Sequence, residues 1–445
     1  MYGEELIMNI ILLSGGSGKR LWPLSNEVRS KQFLKLFKIE NDQYESMAQR
    51  VCRQIRMVEP QANITITTGI QQKSAVINQL GNDVDICIEP MRRDTFPAIA
   101  LASAYLKEKK NLTRESVVIV CPVDAYTEAS YFEKFRFLEE VVTNEQCNLT
   151  LMGIKPTYPS EKYGYILPEK NDVSVFQVKE FKEKPDIQTA KKLIEDGAIW
   201  NSGVFAFKIG YIMDIITQYV DILNYEYMYE HYKEFPKISF DYAVVEKEKN
   251  INCVCFDGSW KDVGTWNTLS EEMSFETFGN AMLVENCEDV HVINELDVPI
   301  LVAGVKNAIV AASADGIIIS DRNASSFIKP YVDKIDQRVM FEEKSWGDFR
   351  VLSVEKYAMT IKLHINAGRS MSYHCHHNRD EVWTILKGEG VVTLGERRRP
   401  IGAGAVVELP AGVKHTIKAI TDMEIIEIQL GDRVIDSDVE TFKFD

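Results

Sequence analysis

The stretch ILLSGGSGKRLWPL, residues 11–24, decides how the N-terminal part of the chain is read. An apolar run stops at a cluster of small residues, Gly15, Gly16, Ser17 and Gly18, and two cations, Lys19 and Arg20, follow at once. A strand that ends in such a bend exposes backbone N–H groups to an anion, and the cations add charge at its rim. Two familiar phosphate loops do not fit. A G-x-x-x-x-G-K-[ST] loop needs glycine where Leu13 stands and Ser or Thr where Arg20 stands. A dinucleotide fingerprint needs a third glycine near position 21, which is Leu21. The residues alone leave two readings, an anion-holding loop of another kind or a plain strand-to-helix turn.

Outward from the loop, short apolar runs alternate with amphipathic stretches, which predicts α/β architecture with a mixed, mostly parallel sheet. MNIILL (8–13), NITITT (63–68), DICIE (85–89), SVVIVCP (116–122) and LTLMGI (149–154) read as strands. VSVFQVKEF (173–181), GVFAFKI (203–209) and INCVCFD (251–257) read likewise. TFPAIALASAYLKEKK (95–110) reads as a helix, with apolar residues at three- and four-residue spacing and lysines at its C-terminal end. The expected domains are 1–272 in α/β form, 273–338 as a small β segment, and 339–445 as an all-β barrel of short strands separated by glycine turns.

Composition narrows the function classes. The 445 residues carry a formal net charge of −15, which argues against a general nucleic-acid or anionic-membrane partner. No apolar run approaches the ~20 residues of a membrane span. The eight cysteines form no CxxC, and the opening MYGEELIMNIILL has no basic n-region. Both point to a reducing, cytoplasmic setting.

LSGGSGKRLWPLS followed by KQFLKL closely resembles the signature of sugar-phosphate nucleotidylyltransferases, in particular mannose-1-phosphate guanylyltransferases. IEPMRRDTFPAIALA (88–102), VIVCPVDAY (118–126), EKYGYIL (161–167), FKEKPD (181–186), WNSGVFAF (200–207), FDYAVVEK (240–247) and WKDVGTW (260–266) follow in the family's order. The resemblance implies a Rossmann-like nucleotidylyltransferase domain joining GTP to mannose 1-phosphate. It places the triphosphate at Gly15, Gly16, Ser17, Gly18, Lys19, Arg20 and Lys31, and the base near Arg93 and Asp94. It gives the sugar phosphate to Gly164, Glu183, Lys184 and Asn201, and Mg2+ to Asp124 and Asp262. Joining two anions requires positioning and charge neutralisation, with no covalent nucleophile.

Each residue keeps a plainer alternative. Asp124 and Asp262 suit turns or helix caps. Lys184 suits a solvated loop, Glu183 and Asn201 a polar surface, Gly164 a β-bulge, and Arg93 with Asp94 a surface ion pair. Four positions depart from the family: Lys19 replaces threonine, Ala125 replaces a histidine, Asp94 replaces an asparagine near the base, and Phe96 replaces an alanine in the same segment.

Five of the seven histidines lie between 364 and 415. Gly368, His374, His376, Glu381 and Gly388 fit G-x5-H-x-H-x4-E-x6-G, and Gly404, Pro410, Gly412 and His415 fit G-x5-P-x-G-x2-H. These spacings resemble the two cupin motifs. Residues two apart on a strand share a face, so His374 and His376 aim together into a barrel. With Glu381 and His415 they make a donor set for Zn, Mn, Fe, Co or Ni. Cys375 is expected in the core on the opposite face, and His377 outside the ligand set. The domain resembles type II mannose-6-phosphate isomerase, with departures at His374, Asn378, Val382 and Thr416. Isomerisation, sugar binding without turnover, and assembly all stay open for it. The whole chain is expected to be a homo-oligomer. Its rival readings are a transferase for another nucleotide or sugar and a silent sugar-nucleotide sensor.

Overall fold

A computed structural model describes residues 7–16, 18–144, 147–169, 175–336, 338–431 and 438–443. Ser17 lies outside the described residues, as does the start of the run expected at 173–181. The chain divides into two compact units. One comprises Met1–Ser17, Gln32–Lys73 and Leu80–Gly264; the other comprises Gly18–Lys31, Ser74–Gln79 and Thr265–Asp445. The division falls inside the glycine loop, so Gly15 and Gly16 belong to the first unit, and Gly18, Lys19, Arg20 and Lys31 to the second.

The first unit is a nine-stranded mixed sheet. Its strands are β1 (Asn9–Leu13), β2 (Asn63–Gly69), β3 (Asp85–Glu89) and β4 (Val117–Pro122); a short β5 (Ala125–Thr127) lies outside the sheet. Then come β6 (Leu149–Ile154), β7 (Tyr165–Pro168), β8 (Val175–Lys182), β9 (Ile199–Lys208) and β10 (Ile251–Phe256), with β11 (Trp260–Asp262) again separate. The sheet order is β3-β2-β1-β4-β9-β6-β10-β8-β7. β3, β2, β1 and β4 run parallel, and β9 enters antiparallel to both β4 and β6. The apolar runs are buried on both faces, as a covered parallel sheet demands; Ile10, Ile11 and Leu12 are all inaccessible. The helix α1 (Thr95–Lys109) packs Phe96, Ile99, Leu101 and Leu106 into that core. Its N-cap is Asp94, whose Oδ1 accepts the Thr95 N–H at 2.8 Å. No helix among the described residues is long and apolar enough to cross a membrane.

In the second unit, β12 (Thr277–Phe278), β13 (Glu288–Asn294), β14 (Lys306–Ser313) and β15 (Gly316–Asp321) form a small sheet in that order. The barrel follows with β16 (Phe341–Lys344), β17 (Gly347–Val354), β18 (Ala358–Ile365), β19 (Tyr373–Cys375) and β20 (Asp380–Lys387). It continues with β21 (Glu389–Leu394), β22 (Arg397–Gly402), β23 (Val406–Leu409), β24 (His415–Ala419), β25 (Met423–Leu430) and β26 (Glu440–Phe442). Two sheets, β16-β17-β18-β25-β20-β23 and β22-β21-β24-β19-β26, face each other across a core that includes Trp383, Ile385, Val392, Val407 and Ile425. The turn at Gly388 has φ 86° and leaves no room for a Cβ, which would stand 2.2 Å from the Asp422 carbonyl oxygen.

Candidate functional site

In the first unit two cavities share a wall. The larger, about 380 Å³, is bounded by Gly15, Gly16, Glu89, Arg93, Asp94 and Asp124 among others. The smaller, about 160 Å³, is bounded by Asp124, Gly164, Glu183, Asn201, Asp241 and Asp262. Asp124 and Pro122 belong to both. Asp124 follows β4, at the C-terminal edge of the parallel strands, where α/β sheets present ligand sites. Asp262 comes from far along the chain. β11 pairs antiparallel with β5 so that Asp262 stands opposite Ala125, the residue after Asp124. Both aspartates are half-buried. The Tyr163 phenol is pushed well above its ordinary value, first by burial and then by the charges of Asp262 and, more weakly, Asp124. Two neighbouring carboxylates with only oxygen donors make the kind of set Mg2+ takes.

Gly164 is boxed in. A Cβ there would stand 2.5 Å from Glu183 Oε2 and 2.7 Å from Phe181 Cζ. Its carbonyl accepts the Asn201 N–H at 2.8 Å, which fixes Asn201 beside it. Asn201 sits where the β9–β6 register shifts, next to Gly203 at φ 78°. That irregularity turns the Asn201 side chain to the cavity. Its amide donates to Asp241 Oδ1 at 2.8 Å and accepts the Gly203 N–H at 3.1 Å. Glu183 is buried, and its carboxyl takes the Lys184 ammonium at 2.5 Å. Burial raises the Glu183 carboxyl above its usual range, against the pull of Lys184. Burial works to lower the Lys184 ammonium, but the Glu183 bond and charge outweigh it and leave it raised. Lys184 itself holds a left-handed φ of 45°, a conformation that costs energy for a residue with a side chain.

The other expected residues are placed as follows. Gly15 and Gly16 are exposed, and Gly16 has φ 142°. Arg93 donates to the Phe235 carbonyl at 2.8 Å, while Asp94 caps α1; both also line the larger cavity. In the second unit, Gly18 has φ 65° and a Cβ there would meet the Asn26 carbonyl oxygen at 2.3 Å. Lys19 bonds Glu27 and Asp333, each at 3.1 Å, so its charge is matched by two carboxylates. Arg20 is exposed and Lys31 is half-buried.

Asp241, Glu89 and Lys162 also line these cavities, although the sequence assigns them no role. Asp241 opens a π-helical turn inside FDYAVVEK, and burial together with the Glu183 charge pushes its carboxyl up to about 7. Glu89, in IEPMRRDTF, is pushed up to about 7 by burial and accepts the Tyr232 hydroxyl at 2.7 Å. Lys162 adds a cation to the rim of the smaller cavity.

The barrel encloses a cavity of about 720 Å³ whose wall includes His374, His376, Glu381 and Glu427. His374 and His415 face each other across β19 and β24. One ligand atom from each of His374, His376 and His415 falls within 4.8 Å of the others. Each imidazole Nδ1 is bonded to a backbone carbonyl: His374 to Ser372 at 2.7 Å, His415 to Val413 at 2.8 Å, and His376 to Asp438. A carbonyl can only accept, so Nδ1 carries the proton and each Nε2 keeps its lone pair for a metal. Glu381 Oε1 lies 3.1 Å from His376 Nε2 and Oε2 lies 3.5 Å from His415 Nε2. The donor set therefore fits a divalent transition metal held by His374, His376, Glu381 and His415. Burial holds His374 down, to about 4. Burial would raise Glu381, but its close neighbours His415, His376 and the Arg379 guanidinium outweigh it and hold the carboxyl at about 2.

Arg379 enters the same set, donating to Glu381 Oε1 at 2.9 Å and to His376 Nε2 at 3.2 Å. A metal on His376 requires that guanidinium to move aside. Glu427, fully buried in the barrel wall, accepts from Trp383 Nε1 at 2.9 Å and Gln429 Nε2 at 2.6 Å, and burial pushes it up to about 8.

A family model described as nucleotidyl transferase matches residues 9–277, and a cupin domain model matches residues 362–429. Mannose-1-phosphate guanylyltransferase of Escherichia coli strain K12 is 27% identical, over 97% of this chain and 97% of its own length. The Salmonella muenchen protein of the same name is 28% identical, over 96% of each. Among solved structures, mannose-1-phosphate geranyltransferase from Thermus thermophilus matches with a TM-score of 0.61 at 25% identity, over 74% of this chain and 98% of that one.

Proposed function

The chain belongs to the nucleotidyl transferase family, and from that premise we propose that it transfers GMP from GTP to mannose 1-phosphate and releases pyrophosphate. The observation that carries the reading is Asp124, a wall of both cavities, with Asp262 set one residue away from it by the β11–β5 pairing.

In this reading the larger cavity takes the nucleotide and the smaller takes the sugar phosphate. A sugar-phosphate oxygen bonds the α-phosphorus as the bond to the bridging β-phosphate oxygen breaks, and pyrophosphate departs with that electron pair. Asp124 and Asp262 would hold Mg2+, which when bound neutralises charge on the phosphates. Lys184 draws the incoming phosphate; Glu183 keeps its ammonium in place until then. Asn201, fixed by Asp241 and Gly203, offers its remaining N–H and lone pair to sugar hydroxyls. Glu89, when ionised, offers acceptors suited to the donor edge of guanine, and adenine lacks that edge. Arg20 and Lys31 follow the loop in the chain, and their role as countercharges for the triphosphate rests on the sequence.

The test is pyrophosphate release across four nucleoside triphosphates and several sugar 1-phosphates. GTP with mannose 1-phosphate should turn over fastest. Turnover with UTP and glucose 1-phosphate alone would overturn the reading.

For the barrel, the metal-ready histidines beside a buried carboxyl favour aldose–ketose isomerisation between mannose 6-phosphate and fructose 6-phosphate. That reaction moves a proton between adjacent carbons. Glu427 is the carboxyl in this wall able to hold such a proton near neutral pH. Arg338 and Lys344 line the same cavity and offer charge to a phosphate. Fructose 6-phosphate with added Mn2+, Co2+ or Zn2+ should yield mannose 6-phosphate. A loaded barrel with no turnover would leave sugar binding or assembly as its role.

A further inference from the structure

We propose that Cys375, His377 and Glu440 form a second divalent-metal site, suited to Zn2+, on the outer wall of the barrel. It shares no ligand with the inner histidine set.

Strand geometry makes the site. β19 and β26 pair antiparallel with Cys375 directly opposite Glu440. His377 lies just past the end of β19, and its ring turns to the Cys375 sulfur and Glu440, whereas His374 and His376 line the barrel cavity. Cys375 Sγ lies 3.8 Å from His377 Nε2, and that nitrogen lies 2.9 Å from Glu440 Oε2. Ligand atoms from all three fall within 4.8 Å of one another. Zinc bonds of about 2.3 Å to sulfur and 2.0–2.1 Å to nitrogen or oxygen, at tetrahedral angles, place donors roughly 3.3–3.5 Å apart. The sulfur–nitrogen and nitrogen–oxygen separations lie on either side of those values, and movement of the exposed His377 and Glu440 side chains completes the set.

His377 and Glu440 are exposed and free to adjust, while Cys375 is buried and fixes the sulfur. The backbone is already anchored. Asp438 accepts the N–H groups of His377 at 3.0 Å and Asn378 at 2.9 Å, holding β26 beside the turn. On binding, the Cys375 thiol gives its proton to solvent as the sulfur–metal bond forms, and water completes the fourth position. A thiolate, an imidazole and a carboxylate suit Zn2+ better than Mg2+ or Ca2+, which prefer oxygen alone.

The test uses the full chain, stripped of metal under reducing conditions and titrated with Co2+. A thiolate-to-cobalt charge-transfer band should grow in the near ultraviolet and saturate by two equivalents per chain, because the inner histidine set also takes Co2+, with an amplitude that corresponds to one thiolate-bound cobalt. The band should persist in His415→Ala, because the inner set has no sulfur. It should vanish in Cys375→Ser. In His377→Ala, where the exposed ring can be lost without unfolding, Co2+ should bind roughly tenfold or more weakly at this band. A folded wild type with no such band, or an undiminished band in Cys375→Ser, would overturn the proposal.

Discussion

Asp262 stands opposite Ala125 in a two-stranded ladder, one residue from Asp124. The ladder joins segments well over a hundred residues apart, and it fixes the spacing of two carboxylates before any substrate arrives. Removing either charge while keeping shape should strike the transition state more than the ground state. Asp124→Asn and Asp262→Asn should each lower kcat by roughly 10²–10³-fold, with a smaller change in KM for GTP, and should raise the Mg2+ concentration needed for half-maximal rate. Steady-state pyrophosphate release against Mg2+ measures both. An Asp262→Asn enzyme with unchanged kcat and unchanged Mg2+ dependence would remove it from the site.

Gly164 admits no side chain, because Glu183 Oε2 and Phe181 Cζ occupy the space a Cβ needs. Gly164→Ala should therefore displace Glu183, and with it Lys184, at a cost of about 1–3 kcal/mol. The expected signature is a raised KM for mannose 1-phosphate with KM for GTP nearly unchanged. Equal loss on both substrates would mean that the two cavities do not divide the substrates as proposed.

Asp241 gives a pH dependence whose sign is fixed. Its carboxyl rises from an ordinary 3.8 to about 7 in the folded protein. Between those values the folded state holds a proton that the unfolded chain has lost, so this group's contribution falls as pH rises through the window. Asp241→Asn keeps the bond to Asn201 available without the charge. Relative to wild type, its thermal midpoint should improve steadily from about pH 4 to pH 7 and level off above. A constant difference across that range would mean that the carboxyl titrates normally.

The parts of this molecule that announce themselves in sequence are those set by local pattern. β1, β2, β3 and β4 are short apolar runs, and a buried parallel strand has no other local form. The clustering of His374, His376, Glu381 and His415 was legible in the motif spacing, which sets His374 and His376 two residues apart and brings the other two from later segments. Partnership between distant segments was not. Nothing near Ile199–Lys208 says that this strand inserts antiparallel at the middle of the sheet, and Asn201-Ser202-Gly203 reads as a break when it is a bulge. The strand consequently starts at Ile199, four residues before the expected 203. Asp241 and Glu89 lie within stretches recognised as motifs, yet their roles come from burial, which a motif does not encode. Arg379 escaped because the spacing rule counts it as any residue, although it lies within hydrogen-bonding reach of two expected ligands.

The two units also allow a prediction that separates their chemistries. His374 is held neutral inside the barrel, down to about 4 from an ordinary 6.5, with burial as the main cause and the His415 charge second. An unfolded chain takes up that proton first as pH falls. The contribution of His374 to stability is thus complete above about pH 6.5 and lost progressively toward pH 4, opposite in sign to Asp241. Protection factors of β20 and β25 amides in the metal-free chain, which correct for the slower intrinsic exchange at low pH, should fall as pH drops across that interval, and His374→Gln should flatten the change. The same variant should hold less transition metal, measured by elemental analysis after dialysis, because one of four donors is replaced by a weaker one. Guanylyl transfer depends on groups of the other cavities, so its kcat should stay within about twofold of wild type, a change of less than ~0.5 kcal/mol in barrier. A parallel collapse of transfer and metal content in His374→Gln would show that the barrel metal serves the transferase directly, and the division of labour argued above would fail.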